Sequence, residues 1–279
     1  MLGWSFGAEW NEYEPVFLDG RWWYDESENT FGYQFGEDEA EEWGDTTWEF
    51  PGPDQYPGIA AEQSPAWTAK AGEKAMYGAL VTGDPHSLDL VAGQHPQYRP
   101  TADTLAGLLT LNSQRSYAGE LLDRAVASGY DPREDPFIRT YLPGAGIVVP
   151  IAPGVVVALP LMRTAVALAT AELHQAAEEY ERAIAVLEPV DRTTHVTLSL
   201  TELLCAAGRY AEAVEVSGHV VNDDDVTALT LAYRAMAERE LGDRDAAART
   251  LDAVFGRDKR NDEVIDLARL VEASLDTAG

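Results

Sequence analysis

From Thr101 onward the apolar residues recur at intervals of three and four, the period of helices that each bury one face. Three stretches superimpose on that period. One holds Ala171, His174, Tyr180, Ala183, Ile184, Leu187 and Val190. The next holds Leu200, Leu204, Gly208, Arg209, Tyr210, Ala213, Val216 and Val220. The last holds Arg234, Ala235, Glu238, Gly242, Asp243, Ala247, Leu251 and Val254. Small residues such as Ala171, Ala213, Ala235 and Ala247 stand where paired helices must approach closely. Gly208 and Gly242 fall between the two helices of a pair, where a left-handed or tight turn suits glycine. Tyr180 and Tyr210 follow that turn and are expected to pack back over it.

A fainter copy runs through Leu105, Ala106, Leu109, Ser113, Ala118, Leu122 and Ala125. Before it, Trp67–Leu80 and Pro85–Val91 predict a helix pair around Gly83-Asp84. Asp262–Leu275 reads as a single closing helix with a polar face to solvent, which a stack of helix pairs needs at its end. The pattern predicts about nine to eleven helices in one curved stack.

These residues resemble the tetratricopeptide repeat, a helix–turn–helix unit of about 34 residues. Gly208 and Gly242 stand one such period apart. The resemblance covers most of residues 100–279. The order of an acidic tryptophan-rich start, a Pro/Val interruption and a Leu-Pro-Leu lead into the repeats also resembles helical-repeat proteins of high-GC Gram-positive bacteria. It implies an all-α, tetratricopeptide-like helical-repeat solenoid that binds another protein, and it brings no activity. The match has departures. Glu178 replaces the turn glycine, which predicts a more helical turn there, and its spacing to Gly208 is four short of a period. His174 takes a position more often aromatic, and a lone histidine on an apolar helix face reads as a satisfied core residue.

The period fails between Tyr130 and Pro160, an insertion in a repeat domain of residues 58–279. β-Branched residues flank Pro153-Gly154, which predicts two extended strands around a turn. Such an apolar ribbon invites aggregation if left bare. Two outcomes stay open: it lies along its own helices, or it meets another copy of the chain to form a homodimer.

Residues 1–57 differ in chemistry. Over the first 65 residues sixteen Asp and Glu face a single basic side chain, Arg21, and every tryptophan lies at or before Trp67. The aromatic runs 20–24 and 30–35 predict a small hairpin around the polar interval 25–29. Pro51, Pro53 and Pro57 with Gly52 and Gly58 read as a linker. Either the aromatics dock on the chain's own helices, or Trp10, Trp22, Trp23 and Tyr33 are contacts for a partner, since interface hot spots are rich in such residues.

Charge narrows the partners. The chain has 279 residues and carries a net charge of −28 with a pI near 4.3. Such a surface repels nucleic-acid phosphates and anionic membranes, so neither is expected as a partner. A neutral or basic protein is favoured. A salt-adapted or high-GC host explains the same composition without any partner. Cys205 is alone, which excludes a disulfide framework and a cysteine metal site. Met1-Leu2-Gly3-Trp4 does not begin a secretory leader, so a cytoplasmic location is expected.

Chemistry-bearing motifs are missing. There is no GxGxxG or Walker loop, HExxH, CxxC or nucleophile elbow, and the five histidines fall on separate elements. Asn222-Asp223-Asp224-Asp225 lacks the spacing of a calcium loop and suits a helix N-cap. No cofactor, metal or catalytic residue is expected. By the resemblance, the inner face is lined by the first helix of each pair, which places Glu172, Gln175, His195, Glu202, Met236 and Arg239 there as candidate partner contacts. The Lys and Asn with which relatives grip a C-terminal carboxylate are absent from those positions. The expectation is a non-catalytic scaffold or adaptor. The alternatives are a homodimeric structural subunit joined through the Val-rich insertion, a repeat-containing hydrolase or transferase, and an acidic mimic of nucleic acid.

Overall fold

The computed structural model describes residues 21–25, 30–34, 65–256 and 262–276. Contacts divide the chain into two units, Gly7–Ala69 and Met1–Phe6 with Lys70–Gly279. In the first unit, β1 (Arg21–Asp25) pairs antiparallel with β2 (Thr30–Gln34), in the register Trp22↔Tyr33 and Trp23↔Gly32. Trp10, the acidic run 37–42 and the Pro/Gly stretch 51–58 lie outside the described residues.

The second unit is built from helix pairs. In order they are α1 (Pro65–Thr82), whose residues from Lys70 onward belong to this unit, and α2 (Pro85–Gln94), then α3 (Arg99–Thr110) and α4 (Arg115–Ala127). After a short α5 (Pro136–Tyr141) come strands β3 (Gly146–Ala152) and β4 (Val155–Pro160). Three further pairs follow: α6 (Arg163–Ala176) with α7 (Tyr180–Leu187), α8 (Thr194–Ala206) with α9 (Tyr210–Val216), and α10 (Asp225–Glu240) with α11 (Arg244–Phe255). The closing helix is α12 (Asp262–Asp276). The described residues thus hold twelve α-helices, beyond the expected range. The addition is α5, which Asp135 and Pro136 start inside the span read as insertion: the Asp135 carboxylate accepts from the amides of Phe137 and Ile138.

Local chemistry fixes the ends of the repeated helices. Thr193, Asp224 and Asp243 cap α8, α10 and α11 by accepting amide hydrogens of Val196, Thr227 and Ala246. Asp224 and Thr227 bond reciprocally, which gives the acidic run 222–225 its structural task. At the other end, the amides of Glu179, Arg209 and Asp243 donate back to the carbonyls of His174, Leu204 and Glu238 at 2.8, 2.8 and 3.0 Å. Each is the six-to-one bond of a Schellman turn. The residue before it is left-handed in all three: Glu178 at φ 61°, Gly208 at 73° and Gly242 at 85°. The expectation of a more helical turn at Glu178 is thereby corrected. The pairing of α6 with α7 demands the same reversal as the other pairs, and Glu178 takes the left-handed conformation despite its Cβ.

Burial separates the two helices of each pair. The first helices are buried nearly all round: Thr164–Ala171 in α6, Val196–Cys205 in α8 and Thr227–Tyr233 in α10. Their interior threonines return the hydroxyl to a carbonyl one turn back, as Thr170 does to Val166 and Thr201 to Thr197. The second helices bury a single stripe, such as Ala183, Ile184 and Leu187 in α7.

A strand explains part of that complete burial. First helices α8 and α10 pack directly on each other, as do α10 and α12. Between α6 and α8 the direct contact is thin, and β3 packs against both. Ile147, Val149 and Ile151, the alternate residues of β3, are buried there. The ribbon turns at Pro153-Gly154, with Gly154 at φ 72°, and a methyl group on Gly154 would strike the carboxyl of Glu263 in the first turn of α12. The ribbon therefore runs from α6 to the start of α12, so the Val-rich insertion lies along its own helices.

Candidate partner-binding surface

Helix-pair geometry positions five of the six inner-face candidates at least partly in reach of solvent, and buries the sixth. Glu172 on α6 accepts a two-pronged contact from Arg115 at the start of α4, at 3.0 and 3.1 Å. Gln175, one turn on, donates to Glu202 of α8 at 3.0 Å. His195 and Met236 are half-buried. Arg239 donates to the Ser274 hydroxyl of α12 at 2.5 Å and pairs with Glu240.

Glu202 is only 7% exposed, which corrects its reading as a groove contact. Its face of α8 looks into the junction with α6 and α10, where a helix count alone cannot show a second layer. Burial pushes its carboxyl up to about 7, opposed by the hydrogen bond from Gln175 and by the polar Tyr233 hydroxyl nearby. Its Oε2 is buried without a hydrogen-bond partner. Beside it the Cys205 thiol donates to the Tyr233 carbonyl at 3.5 Å, and burial pushes that thiol up to about 12. A thiol so held is a core group and not a nucleophile.

His174 is a satisfied interior residue, 4% exposed. Its Nε2 lies 2.8 Å from Asp123 Oδ1 of α4, and its Nδ1 lies 3.0 Å from Glu179 Oε2. Arg182 binds the same two carboxylates at 2.8 and 2.7 Å. This four-residue network joins α4 to the α6–α7 pair. A similar device works inside the last pair, where buried Glu238 accepts from Arg234 at 2.8 Å and from Thr250 at 2.7 Å. The bonds that cross between helices do not read from sequence in either network, since Asp123 lies 51 positions from His174 and Thr250 stands on a different helix from Glu238.

The surface that repeat reasoning passed over is the outward side of the ribbon. Val148 and Pro150 of β3 are half-buried, while Val156, Ala158 and Pro160 of β4 are exposed. Register places Val148 opposite Ala158 and Pro150 opposite Val156, so these residues share one face with no polar side chain. Strand alternation was the signal that could have found it. Trp22, Trp23 and Tyr33 stand on β1 and β2, in the other unit.

Among the described residues no group of His, Cys, Asp and Glu could hold a metal ion, and no helix is long and apolar enough to cross a membrane. No protein family and no curated protein matches the chain. Among solved structures it is similar to a protein of Podosopora anserina described as a kinesin light chain with nearly identical TPR-like repeats. The two are 15% identical over 76% of this chain and 98% of that one, with a TM-score of 0.35. A likeness that low carries no argument, and the helical-repeat architecture rests on the helices and turns themselves.

Proposed function

We propose that this chain is a non-catalytic scaffold that binds another protein, neutral or basic, through its helical-repeat unit. The observation that carries the reading is the serial stack: three helix pairs closed by the same left-handed turn and ended by α12. Each pair contacts its neighbours in the series, an architecture that spends its residues on extended surface. Charge selects the partner, because a net −28 attracts cationic segments and repels anionic ones. His195, Met236, Glu172, Gln175 and Arg239 are the inner-face residues within reach of such a partner.

Native cross-linking of the full chain tests this. A carboxylate-directed reagent suits it, since lysine occurs only at positions 70, 74 and 259. The expected result is one reproducible partner, linked to residues between 99 and 276, whose capture falls as salt rises. Capture lost by a chain starting at Gly58 moves recognition to residues 1–57. Turnover of a substrate by the purified chain overturns the non-catalytic reading.

A further inference from the structure

We propose that the free edge of β4 accepts an extended peptide of the partner as a third strand, with basic residues of that peptide at the Gly154 end. The inference rests on the protein-binding reading and names the surface for it. Among the described residues β4 pairs with β3 and with no other strand. In an antiparallel pair alternate backbone groups of an edge strand face away from its neighbour, so β4 presents a row of amides and carbonyls. Every residue of β4 except Pro160 carries an amide hydrogen. Edges of this kind are ordinarily blunted by charge, yet no charged residue stands between Arg139 and Arg163. Val156, on the outward face, is 61% exposed.

The inner face of the same ribbon is spent on α6 and α8, so the first-helix layer is already covered there. A partner reaching this part of the stack meets the ribbon first. Strand addition draws affinity from main-chain bonds and selectivity from alternate side chains. Valines and alanine on the outward face suit an apolar residue at every second position of the peptide.

Size and charge choose the occupant. Six residues span about 20 Å, enough for one peptide strand. A stable dimer needs about 800 Å² from each partner, which a pairing of that length does not supply alone. Two copies would also bring two charges of −28 together. At the turn, exposed Asp262 and Glu263 begin α12 beside Gly154. They favour lysine or arginine at the facing end of the peptide.

The test uses the full isotope-labelled chain and a synthetic peptide of alternating valine and threonine with two lysines at one end. Expected are amide shifts confined to residues 154–159, at least tenfold weaker binding by Val156→Lys, and weaker binding of a peptide with two glutamates at the same end. Ala158→Lys serves as the second variant, with unchanged helical circular dichroism showing that each still folds. Shifts that fall on Gln175, His195 and Met236 instead would leave the scaffold reading intact and sink the edge. No binding of the peptide, in a chain that still captures a basic partner, sinks it equally. Concentration-dependent dimerisation abolished by Val156→Lys would assign the edge to a second copy and overturn the peptide.

Discussion

Where α8 meets α10 the chain stacks one first helix directly on the next, whereas between α6 and α8 it places strand β3 against both. The two junctions solve one problem. A first helix that is apolar all round needs cover on the side its own partner helix leaves bare. At α8–α10 the cover comes from the following repeat, about 34 positions on, and the period announces it. At α6–α8 it comes from residues 146–152, which precede the repeat they serve. A helical stack can thus recruit a strand into its core when the neighbouring pair does not supply enough surface.

The largest predicted effect sets the two junctions side by side. Val149 and Leu198 are both fully buried, one in the strand and one in α8. Leu198→Ala should cost about 2–5 kcal/mol through lost burial and the cavity left behind. Val149→Asp should cost at least as much, because it buries a carboxylate with no partner. Urea unfolding followed by helical circular dichroism measures both. A wild-type midpoint for Val149→Asp would mean that the ribbon is a cover laid on a finished stack, and the equivalence of the junctions would be lost.

A smaller effect comes from the Gln175–Glu202 bond, which crosses the thin α6–α8 contact. The Glu202 carboxyl sits at about 7 in the folded chain, against 4.5 for the free side chain. The native state therefore holds a proton that the unfolded state has released. Stability is fully retained below about 4.5 and declines as pH rises through 7. A displacement of that size corresponds to about 3 kcal/mol as an upper bound. Glu202→Gln should remove this slope and raise stability at pH 8 by about 1–3 kcal/mol. Unfolding midpoints of both chains at pH 5 and pH 8 provide the check. Parallel shifts in the two would show that the pH response arises elsewhere.

The same comparison shows how much the sequence discloses. Spacing alone predicts α6 to α12, because Ala, Leu and Gly repeat in register, and strand alternation around Pro153-Gly154 predicts the ribbon. Location is what the pattern cannot supply. Nothing in residues 146–152 says which helices they will cover, so a solvent groove is expected where β3 actually lies. Glu202 is misread for a related reason, since burial on three sides of α8 depends on its neighbours and not on its own period. Helix α5 hides among prolines that read as breakers, although Pro136 occupies the first turn, where a missing amide costs nothing.

Glu178 gives the smallest effect and the finest test of the repeat. Its turn has the same six-to-one bond as those at Gly208 and Gly242, yet its residue carries a Cβ. A left-handed conformation costs an L-residue about 1–2 kcal/mol. Glycine removes that cost and gives back part of it through a more flexible unfolded chain. Glu178→Gly should therefore stabilise by about 0.5–1 kcal/mol, and Gly208→Ala should destabilise by a similar or larger amount. The exposed side chain of Glu178 makes a loss of packing negligible. A shift of opposite sign would show that the side chain contributes to the α6–α7 turn in a way the backbone does not, and that the three turns are alike in shape but not in cause.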